Sequence, residues 1–142
     1  MPSILALDVG TRTIGVARAH AQGPALATPL LVLSRQGVRK DVVRLVALCG
    51  DQQACAVVVG LPYDLEGEEG RSARLARQIG EALAEASGLP VHYQDERFTT
   101  VEASARLHAA GHDSRAQRAV IDAAAAAVIL QDWLDATRAA AR

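Results

Sequence analysis

Residues 4–17 read ILALDVGTRTIGVA, an apolar run that stops on Asp8-Val9-Gly10 and resumes after Thr11-Arg12. Ile4–Leu7 has the pattern of a short buried strand closed by a turn. Thr13–Ala19 resumes a strand pattern, and Gly15 within it marks a close backbone approach or a bulge. Gln22-Gly23-Pro24 is a turn and Pro29–Leu33 a third strand, so the chain opens as an antiparallel meander.

Beyond the meander the period changes. In Val38–Cys49, the residues Val42, Leu45, Val46 and Cys49 fall on one helical face, with Gly50 as the expected stop. Ala54–Val59 is continuous and β-branched and ends at Gly60-Leu61-Pro62, as suits a parallel strand covered on both faces. Tyr63–Gly70 is an acidic loop. Arg71–Ala86 is a helix with Leu75, Ile79, Leu83 and Ala86 as its inner stripe, ended by Gly88-Leu89-Pro90. Val91–Gln94 is the last strand. Thr99 or Thr100 can cap a helix running to about Ala110, Gly111–Arg115 is a polar break, and a closing helix spans roughly Ala116–Thr137. The order β-β-β-α-β-α-β-α-α places crossover helices between the later strands. It predicts an α/β fold with one mixed sheet and helices on both faces. The Ala123–Ala127 segment favours helix by propensity and lets that helix sit close to the sheet.

The chain has 142 residues, the size of one domain, and no linker divides it; residues 1–142 are expected to form a single unit. Aromatic residues make up only 3%, so the core has to come from Leu, Val, Ile and close Ala contacts. The net charge of −1 lends no support to a nucleic-acid binder, which leaves local distribution to decide. Lys40 is the single lysine, and the remaining cations are arginines, whose planar fork suits bidentate phosphate contacts. A base-composition bias explains the same preference. Cys49 and Cys55 fit neither a zinc pair nor a redox motif and read as buried thiols of a reducing compartment. The first residues do not resemble a basic leader, and the apolar run Ala123–Leu130 is too short to span a bilayer. The expected location is therefore the cytoplasm.

Three carboxylates stand out. Asp8 closes the first strand just before Gly10, at the carboxyl edge where open α/β sheets place ligands. There it can hold a metal or meet a phosphate, although Asp-x-Gly is also ordinary turn chemistry. Asp95-Glu96-Arg97 leaves the last strand on the same edge. Its two acids point to opposite sides if the strand persists, so one of them faces Asp8. Asp122 sits in an apolar helical stretch among five alanines, where a buried carboxylate is costly unless paired or metal-bound. Near the helix start, the dipole would favour its ionised form. Oxygen-only ligands suit Mg²⁺ or Mn²⁺, and two such ions about 4 Å apart activate water and stabilise a leaving oxygen in phosphodiester hydrolysis. Arg12, Arg97, Arg115 and Arg118 lie close in sequence to these acids and are candidate phosphate contacts, each equally readable as a surface arginine. Gly10 and Thr99 complete the candidate substrate-binding set. Trp133 reads as an anchor for the last helix.

With these residues in view, the sequence resembles the YqgF family, also called RuvX, of small bacterial ribonuclease-H-like proteins. Leu5–Ala17 is similar to the family's opening motif, and Val58-Val59-Gly60-Leu61-Pro62 with Gly67 and Gly70 to the second. Asp95-Glu96-Arg97-Phe98-Thr99-Thr100 resembles the third, and Ile121–Gln131 the fourth. The four motifs occur in order across nearly the whole chain. The resemblance implies a ribonuclease-H-like five-stranded sheet of order 3-2-1-4-5, a bacterial cytoplasmic setting, and Asp8, Glu96 and Asp122 as the acidic catalytic and metal-binding set. It also selects Glu96 over Asp95. The implied role is a divalent-metal-dependent nuclease trimming near the 5′ end of the small-subunit (16S) ribosomal RNA precursor. Its expected partner is nucleic acid, RNA ahead of DNA, together with ribosomal precursor particles, and its expected state a monomer or weak homodimer. In that sheet the strand Ala54–Val59 separates Asp8 from Glu96, which must then reach across about twice the ~4.8 Å strand spacing. Asp64, Glu66, Glu68 and Glu69 are rival ligands. Three other readings compete: a Holliday junction resolvase, which needs two sites related by a two-fold axis; an actin-like ATPase, whose second domain 142 residues cannot supply; and a catalytically inactive ribosome or nucleic-acid binding module.

Overall fold

A computed structural model describes residues 2–24, 26–62, 70–96 and 115–141. Three strands, β1 (Ser3–Val9), β2 (Thr13–His20) and β3 (Thr28–Ser34), form the antiparallel meander. Helix α1 (Val38–Asp51) then crosses to β4 (Ala54–Leu61), and α2 (Arg71–Ser87) to β5 (Val91–Asp95); both later strands pair in parallel. Helix α3 (Arg115–Ala141) closes the described chain. The sheet order is β3-β2-β1-β4-β5, as expected from the resemblance. The helix expected between Thr99 and Ala110 lies outside the described residues.

The period-2 alternation of the strands sorts side chains onto two unlike faces. Leu5, Leu7 and Val9 of β1, Ile14 and Val16 of β2, and Val57, Val59 and Leu61 of β4 pack with Val42, Leu45 and Cys49 of α1 and Ala76, Ile79 and Leu83 of α2. The other face carries smaller residues: Ile4, Ala6, Ala17, Ala19, Ala56 and Val58 meet Ala126, Ile129, Leu130 and Leu134 of α3. Small residues on both partners let α3 approach closely enough to touch all five strands. Each fully buried Leu or Ile here contributes about 1.5–3 kcal/mol. Ala27 N–H donates to Gln131 Oε1 (3.0 Å), and Arg138 donates to the Gly23 carbonyl (3.0 Å), fixing α3 along the β2–β3 turn. Trp133 packs against this second core and lies 5.1 Å from the His92 ring.

Several local expectations are corrected. Gly50 does not stop α1. The helix runs one residue further, Gln52 and Gln53 N–H groups satisfy the Leu48 and Gly50 carbonyls, and Gln53 makes the reversal at φ 54°. Ala86 is exposed; the buried stripe of α2 is Ala73, Ala76, Ile79, Gly80 and Leu83. Cys49 is buried as expected but Cys55 is exposed. The β1–β4 register passes from Ser3↔Ala54 to Ile4↔Ala56, so Cys55 is the extra residue of a bulge and turns out of the ladder. Among the described residues, no helix is long and apolar enough to cross a membrane.

Candidate carboxylate site

The faces of the sheet decide which acids can meet. Asp8 alternates with Leu7 and Val9, so it stands on the α3 face with Ala6. Opposite it on β2 is Gly15, and Thr13 and Gly15 share that face with Ala17. Gly15 is buried beneath α3: a Cβ there would overlap the backbone oxygen of Asp122 and lie 2.5 Å from its carbonyl carbon. The missing side chain thus lets the third turn of α3 rest on β2 and delivers Asp122 to the rim beside Asp8. Thr13 Oγ1 donates to Asp122 Oδ2 at 2.5 Å, a short charge-assisted bond that fixes one carboxylate oxygen. Asp122 is half-buried and lies about two turns into α3, so the helix dipole expected to favour its charge is out of range. The Thr13 hydroxyl is what positions one of its oxygens.

Asp8 is also half-buried. Burial, and secondarily repulsion from Asp122, push its carboxyl from 3.8 to about 6. At neutral pH two carboxylates therefore share one rim with their mutual repulsion incompletely offset. Such a pair is suited to a hard divalent cation.

Glu96 follows β5 with 2% of its surface exposed, whereas Asp95 is exposed. Its N–H donates to the Leu61 carbonyl (3.0 Å), which extends the β4–β5 ladder by one residue. The Glu96 Cγ lies 3.6 Å from where a Cβ of Gly60 would stand, and that Cβ would lie 2.5 Å from Ile129 Cδ1. Gly60 alternates with Val59 and Leu61, so it stands on the α3 face like Asp8. The bare glycine on the intervening strand makes room for Ile129 of α3, and the Glu96 stem lies at ordinary contact distance beside it. Among the described residues, no group of three His, Cys, Asp or Glu side chains stands close enough to hold a metal ion. Asp8 and Asp122 are brought together, and Glu96 is on their side of the sheet.

The other candidates divide. Gly10 N–H donates to the Thr13 carbonyl (2.8 Å) and its own carbonyl accepts from Arg35 (3.3 Å), so its backbone polar groups are committed within the protein. Arg12 is exposed at the turn. Arg115 and Arg118 occupy the first two turns of α3. Arg97, Thr99 and the rival acids Asp64, Glu66, Glu68 and Glu69 lie outside the described residues.

Sequence reasoning missed the support beneath the turn. Asp41, fully buried in the first turn of α1, accepts from Arg35 Nε (2.8 Å), Gln36 N–H (2.9 Å) and Arg44 (2.7 Å). Burial alone would raise its carboxyl, but these bonds and the Arg35 charge outweigh that and hold it below the ordinary value. Arg35 then reaches the Gly10 carbonyl, and its N–H donates to the Arg12 carbonyl (2.8 Å), pinning the turn after Asp8. Two arginines flanking an aspartate, Arg35 and Arg44 around Asp41, were the available signal.

The mixed sheet of order 3-2-1-4-5 with helices on both faces defines a ribonuclease-H-like protein. The family model described as RuvX, Holliday junction resolvase, matches residues 2–136, and the chain belongs to that family. It is 48% identical over 137 residues to a Mycobacterium leprae (strain Br4923) protein named "Putative pre-16S rRNA nuclease", covering 96% of this chain and 74% of that one. A protein of the same name from Anaeromyxobacter sp. (strain Fw109-5) is 43% identical over 135 residues, covering 95% and 98%. Among solved structures, Thermus thermophilus RuvC aligns with a TM-score of 0.60 at 16% identity over 96% of both chains. Fowlpox virus resolvase, in complex with Holliday junction DNA, aligns at 0.58 with 8% identity over 95% and 98%. Those two likenesses concern the fold.

Proposed function

We propose that this protein is a divalent-metal-dependent nuclease that hydrolyses phosphodiester bonds in the 5′-end processing of precursor 16S ribosomal RNA, with residues 1–142 acting as one domain. The observation that carries the reading is the Asp8–Asp122 pair on the α3 face of the sheet rim. Family membership and the relatives named "Putative pre-16S rRNA nuclease" support the substrate.

Asp8, Asp122 and Glu96 would hold Mg²⁺ or Mn²⁺, and the donor set fits, being all oxygen and anionic. The ion supplies an activated water and charge stabilisation at the leaving oxygen when bound. The protein's own residues do the rest. Thr13 fixes Asp122 Oδ2 through its hydroxyl. The raised Asp8 carboxyl is half-protonated near pH 6 and gains its charge as the pH rises through that range. Glu96, on the same face of the sheet, would complete the set. Arg12, exposed beyond Asp8, offers a guanidinium to a substrate phosphate.

A cleavage panel tests this: precursor 16S RNA, single-stranded RNA, single-stranded DNA and a four-way DNA junction, each with Mg²⁺, Mn²⁺ or EDTA. Precursor RNA should be cut with metal, not in EDTA, and not by Asp8→Asn or Asp122→Asn. Cleavage of the junction alone would move the protein to branched DNA. Cleavage that survives both substitutions would mark a contaminant and leave a binding module.

A further inference from the structure

A cleft lies on the opposite side of the rim from the carboxylates, on the α2 face of the sheet. It has a volume of about 480 Å³ and is lined by Thr11, Arg71, Arg74, Leu75 and Gln78. Thr11 belongs to the turn that follows Asp8, and three residues span roughly 10 Å at most. The cleft therefore begins within roughly 10 Å of Asp8. The other residues come from successive turns of α2, where positions three and four apart share a face. Leu75 gives an apolar floor, and Arg71, Arg74, Gln78 and Thr11 give donors around it.

Arg71 and Arg74 are exposed and make no ion pair with the described residues, and the first turn of α2 carries no acid. The next cation along the helix differs: the Arg77 guanidinium sits 5.1 Å over the Tyr93 ring. The carboxylate rim is anionic and repels a polyanion, so a nuclease built on it needs cations placed to either side. Arg12 is one such cation; the Arg71–Arg74 pair is a stronger, concave one.

We propose that this cleft binds backbone phosphates of the nucleic-acid strand entering the site, with Arg71 and Arg74 each taking one phosphate and Thr11 and Gln78 hydrogen-bonding beside them. The strand then crosses the β1–β2 turn from the α2 face to the α3 face, where Asp8 and Asp122 stand. This rests on the nuclease reading for its substrate, but it is tested by binding rather than by cleavage.

The full-length protein in EDTA is titrated with fluorescein-labelled 20-nucleotide single-stranded RNA, single-stranded DNA and the matching RNA duplex across a range of KCl concentrations. Each lost phosphate contact should flatten the log–log salt slope by about 0.7 on a single strand and about 0.9 on a duplex. R71A/R74A should flatten the single-strand slope by about 1.4 and weaken binding roughly 10-fold or more at moderate salt. R71K/R74K should keep the slope while losing part of the affinity, because lysine keeps the charge without the fork. A control on the exposed outer face of α1, R39A/K40A, should change neither. Equal effects with RNA and DNA mark a pure phosphate contact, whereas an effect confined to RNA marks a cleft that also reads the ribose. An unchanged slope in R71A/R74A while wild type binds and cleaves would overturn the cleft and leave the nuclease standing. A flattened slope in a protein that never cleaves would leave the cleft and remove the nuclease. Absence of any binding by wild type would overturn both.

Discussion

Thr13 on β2 and Asp122 on α3, 109 positions apart in the chain, are joined by a 2.5 Å hydrogen bond from Thr13 Oγ1 to Asp122 Oδ2. It is the contact that turns a helical aspartate toward Asp8. Thr13→Val keeps the shape and removes the donor, at a cost on the order of 1–3 kcal/mol for a bond to a charged group. Under the proposed activity, kcat should fall about 10-fold or more with KM little changed, and Thr13→Ser should restore most of it. Steady-state kinetics on precursor RNA check this; equal kcat in Thr13→Val and wild type would show that Asp122 needs no such orientation.

Two glycines should respond in opposite directions. At Gly15 an added methyl meets the backbone of Asp122, which no rotamer change can move, so Gly15→Ala should destabilise by about 3 kcal/mol or more. At Gly50, inside α1, nothing lies within 4 Å of the new methyl, and Gly50→Ala should stabilise by about 0.5–1 kcal/mol. Urea unfolding of both variants settles the pair.

The pH dependence of stability follows from Asp8. Its carboxyl is raised in the folded protein, from 3.8 to about 6, so the native state holds the proton more tightly than the unfolded chain. The associated stability is fully present below about pH 4 and is lost as pH rises to about 6. Asp8→Asn, neutral throughout, should therefore exceed wild type by on the order of 2 kcal/mol above pH 7, with the gap closing toward pH 4. Millimolar Mn²⁺ or Mg²⁺ should raise the wild-type melting temperature at pH 7.5 and leave Asp8→Asn unmoved. Chemical denaturation in EDTA from pH 4 to 8, with melting curves at pH 7.5 with and without metal, provides the readings.

Asp41 should behave with the opposite sign. Its carboxyl is lowered, so its contribution is present above the unfolded value and disappears as pH falls through the folded one. Asp41→Asn leaves the part-buried guanidinium of Arg35 short of its counter-charge and should cost about 3–5 kcal/mol at pH 7. Arg35→Lys, retaining charge but not the fork between Asp41 and the Gly10 carbonyl, should loosen the turn after Asp8; amide exchange at Gly10 and at position 35, whose N–H groups hold the turn, would report it.

Much of the fold was legible from the chain alone. The shift from strand period to helix period after Ser34, and the unbroken apolar run at β4, required a meander followed by crossover connections. The turn after Asp8 and the small residues around Asp122 marked two acids as odd for their surroundings. Local hydrogen bonding and side-chain alternation are short-range properties, so they are written residue by residue. The end of α1 was set by the Gln52–Gln53 reversal, which bonds back onto Leu48 and Gly50, and the direction of Cys55 by the bulge against β1.

What tertiary structure alone decided is which face each acid occupies and what lies beside it. No sequence pattern pairs Thr13 with Asp122, places Gly15 beneath that helix turn, or sets Gly60 against Ile129 of α3. Nor does one couple Asp41 through Arg35 to the carbonyls after Asp8. These are contacts between segments that meet only when the sheet and α3 pack, because an acid's charge state and reach depend on burial and neighbours that the linear chain does not contain.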